Sequence, residues 1–165
     1  MKKHGRIDVL INNAGGGVAI KNVVDQTKAE IDRAIQLNLN SVIYAANVFA
    51  PIFQKQCSGT IINMSSVCAR QCWPEWSVYA AAKAGMLNFS KGLYTELQPY
   101  GVRVTCLLPA SAAPHFSTAS GIDCVVRKLR TDDIAQTALF ICKLPAHAVV
   151  EDVTVWGIDQ VVNPL

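Results

Sequence analysis

The chain has 165 residues, of which 51% are hydrophobic and 16% charged, with a formal net charge of +3. This length suits one compact domain, and the apolar share supports a packed core and argues against disorder. The weak charge, without a dense run of Lys and Arg, argues against a nucleic-acid partner, and no uncharged apolar run approaches the length needed to span a bilayer.

Six cysteines (Cys57, Cys68, Cys72, Cys106, Cys124 and Cys142) lack His at zinc-finger spacing, so no metal site is expected. No secretory signal precedes the first strand-like run, and reduced thiols in a cytoplasmic protein are the expectation. Ile7 to Asn12 is a short apolar run that reads as a buried strand. It enters the loop Asn12-Asn13-Ala14-Gly15-Gly16-Gly17, whose three glycines permit a sharp turn and close approach to a ligand. Apolar residues at three- and four-residue steps from Ile31 to Phe49 predict a helix over 27–54, with Thr27 and Glu30 as a capping box. Thr60 to Met64 is the second strand, with Ser65 and Ser66 at its C-terminal end. The next helix covers 77–97, stopped by Gln98-Pro99-Tyr100-Gly101. Val102 to Leu108 is the third strand. An irregular stretch from Pro109 to about Lys128 follows. Thr131 opens a helix with an N-cap and an acidic first turn, reaching about Lys143, and 152–156 is a last strand. This alternation predicts an α/β domain: a mainly parallel sheet with flanking helices, over 1–165 as a single unit.

Tyr79 and Lys83 are four residues apart, hence on one helix face. An ammonium near a phenol favours the phenolate and should lower its pKa from about 10 toward neutral, making a general acid/base. Ser66 sits where strand ends line the ligand crevice of an open α/β sheet. Its hydroxyl either donates to a substrate carbonyl oxygen or serves as a turn or helix cap. Asn38, within Gln36-Leu37-Asn38-Leu39-Asn40, is a poor helix-interior residue. Either it or Asn40 faces solvent, holds a water, or marks a distortion of the helix.

These segments together resemble the short-chain dehydrogenase/reductase family of classical type. Asn12-Asn13-Ala14-Gly15 after a strand resembles its Asn-Asn-Ala-Gly motif, Leu37-Asn38-Leu39 its helix segment with the catalytic Asn, and Tyr79-Ala80-Ala81-Ala82-Lys83 its Tyr-x-x-x-Lys signature. The thirteen residues from Ser66 to Tyr79 match its Ser-to-Tyr spacing, and Val102 to Pro109 its strand leading to a Pro-Gly turn. The resemblance implies a Rossmann-like doubly wound fold and an oxidoreductase that moves hydride between NADP or NAD and an alcohol or carbonyl substrate. It implies a catalytic set of Asn38, Ser66, Tyr79 and Lys83: Tyr79 passing the proton, Lys83 binding the nicotinamide ribose and lowering the Tyr79 pKa, Ser66 positioning the substrate oxygen, and Asn38 holding a water. It further implies that Asn13, Ala14 and Gly15 border the adenosine side of the cofactor and Pro109 the nicotinamide side. The partner expected is a small molecule, with a homo-oligomer or pairing with a full-length relative through the two long helices.

The family's glycine-rich Thr-Gly-x-x-x-Gly-x-Gly turn, which receives the pyrophosphate, has no counterpart in this sequence. The reading is therefore of the C-terminal portion of the fold, and a catalytically silent interaction module is the alternative function. The strand at 7–12 then becomes an exposed apolar edge, and poor stability as an isolated monomer is expected. Ala110 replaces the Gly expected after Pro109, and a reduced substrate lid follows.

Overall fold

The computed structural model describes residues 4–112, 129–158 and 160. The stretch anticipated as the substrate lid lies mostly outside these residues, as does Cys124. Four parallel strands form one sheet in the order β1 (Val9–Asn12), β2 (Gly59–Met64), β3 (Val102–Pro109) and β4 (Asp152–Val155). Helices flank both faces, giving the Rossmann-like layered arrangement. None of the described helices is long and apolar enough to cross a membrane.

The anticipated long helix forms, but in three parts: α1 (Lys28–Ile35), a π-helical turn (Gln36–Asn40) and α2 (Ser41–Gln56). The Thr27/Glu30 capping box is present at its start. The wide turn traces to the Asn38 side chain. Asn38 Nδ2 donates to the Ala34 carbonyl at 3.0 Å, taking the acceptor that a regular helix offers to the Asn38 N–H. The Ser41 N–H then reaches the Gln36 carbonyl five residues back. Of the alternatives open for the two asparagines, distortion of the helix is what the fold shows. Asn38 is fully buried, and Asn40, half-buried, bonds to Gln36.

The helix α3 (Ser77–Leu97) has the anticipated bounds, and α4 (Thr131–Lys143) begins at Thr131. The cap of α4 differs from the expectation. Asp133, in the first turn, accepts from the Arg130 N–H at 2.8 Å, so the capping carboxylate comes from inside the helix.

Parallel register puts Leu10, Ile61 and Val104 on one face, where they pack with Ala46, Phe53, Leu93 and Leu97 of α2 and α3. The opposite face carries Ile62, Leu107, Val153 and Val155 beneath Ile134, Ala138 and Ile141 of α4. Val9 and Ile11 share this second face but lie beyond that cluster, 40% and 46% exposed. The apolar edge expected at β1 is present.

Arg103 was read only as a strand residue. Its guanidinium donates to the carbonyls of Ile141, Cys142, Leu144 and Ala148 and to Thr60 Oγ1. It thereby reaches the Ile141 and Cys142 carbonyls at the end of α4 and those of Leu144 and Ala148 beyond it, and fastens that helix end to the sheet.

Candidate active site

The side chains singled out by sequence gather at the carboxyl ends of β1 and β2. Ser66 follows β2 in an extended conformation and is buried. Its Oγ accepts from the Cys68 N–H at 3.2 Å, capping a 3-10 turn over Val67–Ala69. The same hydroxyl hydrogen-bonds with Tyr79. Of the two readings of Ser66, the turn cap is the one this geometry displays.

Tyr79 and Lys83 occupy the first two turns of α3, only 7% and 3% exposed. Trp76 meets the Tyr79 ring edge-on, with centroids 5.5 Å apart and an interplanar angle of 78°. Cys68, Trp76 and Ala80 pack with Tyr79, and Ile20 and Trp73 close the cluster. The Lys83 ammonium lies 5.7 Å from the Tyr79 ring centroid and donates to the Met64 carbonyl at 2.9 Å. An ammonium carries three donors, so N–H capacity remains at Nζ for a further acceptor.

Asn38 connects this group to the glycine loop. Its Oδ1 accepts from the Gly16 N–H at 2.9 Å and its Nδ2 donates to the Gly16 carbonyl at 3.0 Å. With the Ala34 bond, both ends of its amide are engaged by the protein. Gly15 is pressed between these groups: a Cβ there would sit 2.9 Å from Asn38 Oδ1 and 3.2 Å from Lys83 Nζ. Only a residue without a side chain lets the loop approach this closely. Asn13, Ala14 and Pro109 lie on the same rim, at the ends of β1 and β3. Asn13 and Ala14 are exposed, and none of the three is hydrogen-bonded to the catalytic-type side chains among the described residues.

Burial dominates the electrostatics. It pushes the Tyr79 phenol well above its ordinary value, with the nearby Cys68 thiol adding to the rise and the Ser66 hydrogen bond opposing it. Burial likewise pulls the Lys83 ammonium down to about 8, against the Cys106 and Cys68 thiols. The anticipated lowering of the Tyr79 pKa by Lys83 is thus not what the fold produces. Nζ sits over the ring and on the Met64 carbonyl, and desolvation penalises both charged forms. The arrangement places a neutral phenol beside a hydroxyl, with a cation near the phenol ring. Among the described residues, no group of His, Cys, Asp and Glu is placed to hold a metal.

Three contributors were not picked out by sequence. Ser65 bonds to α3 rather than facing Tyr79. Cys68 packs against the phenol. Arg70 pairs with Asp152 and Thr154, tying the turn after Ser66 to β4. The Ser65-Ser66 pair carried a signal for the first, since adjacent residues at a strand end point to opposite sides. The others depend on tertiary neighbours.

The sequence profile of the family described as short chain dehydrogenase matches residues 1–123. A tropinone reductase-like protein of Erythroxylum coca is 32% identical over 182 residues, covering 98% of this chain and 66% of the relative. An uncharacterized oxidoreductase of Staphylococcus saprophyticus is 33% identical over 155 residues, covering 93% of this chain and 65% of the relative. The chain therefore spans just under two thirds of these curated relatives. Among solved structures, the closed form of serine dehydrogenase complexed with NADP+ superposes with a TM-score of 0.90 at 25% identity, covering 97% of this chain and 68% of that one. On a match across about three quarters of its length, and on a fold that agrees with it, the chain belongs to the short-chain dehydrogenase family.

Proposed function

We propose that the chain carries the catalytic portion of an oxidoreductase that interconverts an alcohol and a carbonyl, with NADP or NAD as the hydride carrier and Tyr79 as the proton donor and acceptor. The observation that carries this reading is the packing of Ser66, Tyr79 and Lys83 into one buried group at the carboxyl rim of the sheet. A nicotinamide nucleotide, when bound, supplies or accepts the hydride at the substrate carbon. The residues present suit its ribose side. Gly15 allows close approach, and the buried Lys83 ammonium keeps donors available beyond its bond to Met64. Asn13, Ala14 and Pro109 form the rim around them. The residues for the pyrophosphate are not part of this sequence, since it has no glycine-rich Thr-Gly-x-x-x-Gly-x-Gly turn.

In the reducing direction, Ser66 and Tyr79 hydrogen-bond the substrate carbonyl oxygen. As the carbon gains hydride, the Tyr79 O–H bond breaks and its proton completes the alcohol hydroxyl. Burial keeps the phenol protonated, and so ready to donate, at neutral pH. Lys83 faces the phenolate left behind and stabilises it by charge. Asn38 acts through position: with its amide engaged by Gly16 and Ala34, it holds the loop against Lys83. Both Nδ2 hydrogens are taken by the Gly16 and Ala34 carbonyls, so a water in a proton relay would meet the Asn38 amide through Oδ1.

The test is hydride transfer by the purified chain, followed by NADPH or NADH absorbance over a panel of carbonyls. Tyr79→Phe should lower the rate by about 10²–10⁴-fold without unfolding the protein. A wild-type chain that neither binds the nucleotides nor turns over any carbonyl overturns this reading.

A further inference from the structure

Ser65 stands beside Ser66 at the end of β2, and its hydroxyl has a different partner. It donates to the main-chain carbonyl of Lys83 at 2.9 Å, while the Ser65 N–H donates to the Leu107 carbonyl at 2.8 Å. Ser65 is 4% exposed. We infer that Ser65 is a positioning residue: it clamps the Lys83 turn of α3 to the rim of the sheet, and so fixes where the Lys83 ammonium sits relative to Tyr79.

The geometry supports a clamp between elements rather than a support for the helix. Lys83 lies in the interior of α3, where its carbonyl already has a helical partner. A second donor there adds nothing the helix needs, but it fixes the helix against the strand end. Lys83 is held at two points by consecutive residues: its carbonyl by Ser65, and its Nζ by the Met64 carbonyl at 2.9 Å. Fastening both ends of a long, flexible side chain removes most of its rotamer freedom, so the ammonium has one address. The titratable groups around it are Tyr79, Cys68 and Cys106, all buried. Further along α3 a separate tether exists, because Asn63 Nδ2 donates to Ser90 Oγ at 2.9 Å. Loss of the Ser65 hydroxyl therefore leaves the helix docked and frees only the Lys83 turn. The geometric claim stands without the hydride-transfer reading; its catalytic consequence rests on that reading.

The experiment is a titration of Lys83 in 13C-lysine-labelled protein by NMR, its Cε signal assigned by its absence from Lys83→Arg. Ser65→Ala should move the Lys83 titration upward by roughly half a pH unit or more, as the released ammonium leaves Met64 and gains water. Ser65→Thr, which keeps the hydroxyl, should restore it. Should Ser65→Ala fail to fold, Ser65→Cys offers a weaker donor of similar size for the same measurement. A folded variant without the hydroxyl whose Lys83 titrates as in the wild type overturns the clamp. In parallel, Ser65→Ala should lower kcat for carbonyl reduction about tenfold, with a smaller change in KM for NADPH. A shifted Lys83 titration in Ser65→Ala, together with a wild-type chain that transfers no hydride, supports the clamp and sinks the hydride-transfer reading alone.

Discussion

Lys83 and Tyr79 are buried together, and burial penalises the charged form of each. The phenol therefore stays neutral through the physiological range, while Lys83 loses its proton near about 8. A Lys whose value is depressed is charged below that value and neutral above it. On the hydride-transfer reading proposed above, stabilisation of the phenolate by Lys83 is largely present at neutral pH and is lost as pH rises through about 8. For carbonyl reduction, kcat/KM should be level near neutrality and then fall with one proton above this point. Lys83→Arg, a cation at all accessible pH, should remove that break. A profile still rising a full pH unit higher would contradict the assignment. Gly15 offers a second test at the same scale. A Cβ there meets Asn38 Oδ1 at 2.9 Å and Lys83 Nζ at 3.2 Å, so Gly15→Ala must displace one of them. Activity should fall at least tenfold with a loss in thermal stability of about 1–3 kcal/mol, read by rate assays and calorimetry side by side. Half-buried Gly16, where a Cβ meets nothing within 4 Å, is the control.

At the scale of elements, Gly59 shows how tightly the helix-to-strand joint is specified. It has φ +153°, and a Cβ would come within 2.1 Å of the Phe53 ring. Phe53 is fully buried at the centre of the cluster beneath α2 and α3, so the ring cannot step aside. Gly59→Ala should cost about 2–4 kcal/mol in chemical denaturation, and Phe53→Leu should relieve part of the clash in the double variant. The joint also illustrates what was readable in the chain. Apolar periodicity located the helices and strands because burial on two faces imposes it, and the i, i+4 spacing of Tyr79 and Lys83 put them on one face because helix geometry requires it. The π-helical turn was legible only as a misplaced Asn. Its cause is a pair of bonds, one to Ala34 four residues away and one to Gly16 twenty-two residues away, and no local pattern encodes the second. Arg103 escaped notice for the same reason, since its partners lie about forty residues further along the chain. The direction of the Tyr79 shift also required the fold, because spacing reports the nearby cation but not the desolvation that outweighs it.

At the scale of the whole molecule, the sheet has an unequal pair of faces. On one, α2 and α3 cover β1, β2 and β3, with Ile7 and Leu10 drawn into the core. On the other, α4 covers β2, β3 and β4, and the cluster beneath it ends at Ile62. β1 therefore presents an edge that no described strand pairs with and an exposed apolar pair, Val9 and Ile11, flanked by the surface pair Arg6–Asp8. Edges of this kind recruit another strand, and in an isolated domain the strand available is that of a neighbouring copy. The isolated chain should therefore unfold at low denaturant, with a midpoint that depends on protein concentration, and should self-associate at micromolar levels in sedimentation. Ile11→Lys places a charge on the bare face without touching the Leu10 side of the strand, and should suppress association while leaving the active-site group intact. A cooperative transition with a midpoint independent of concentration, in a chain that sediments as a monomer, would show that β1 needs no covering partner.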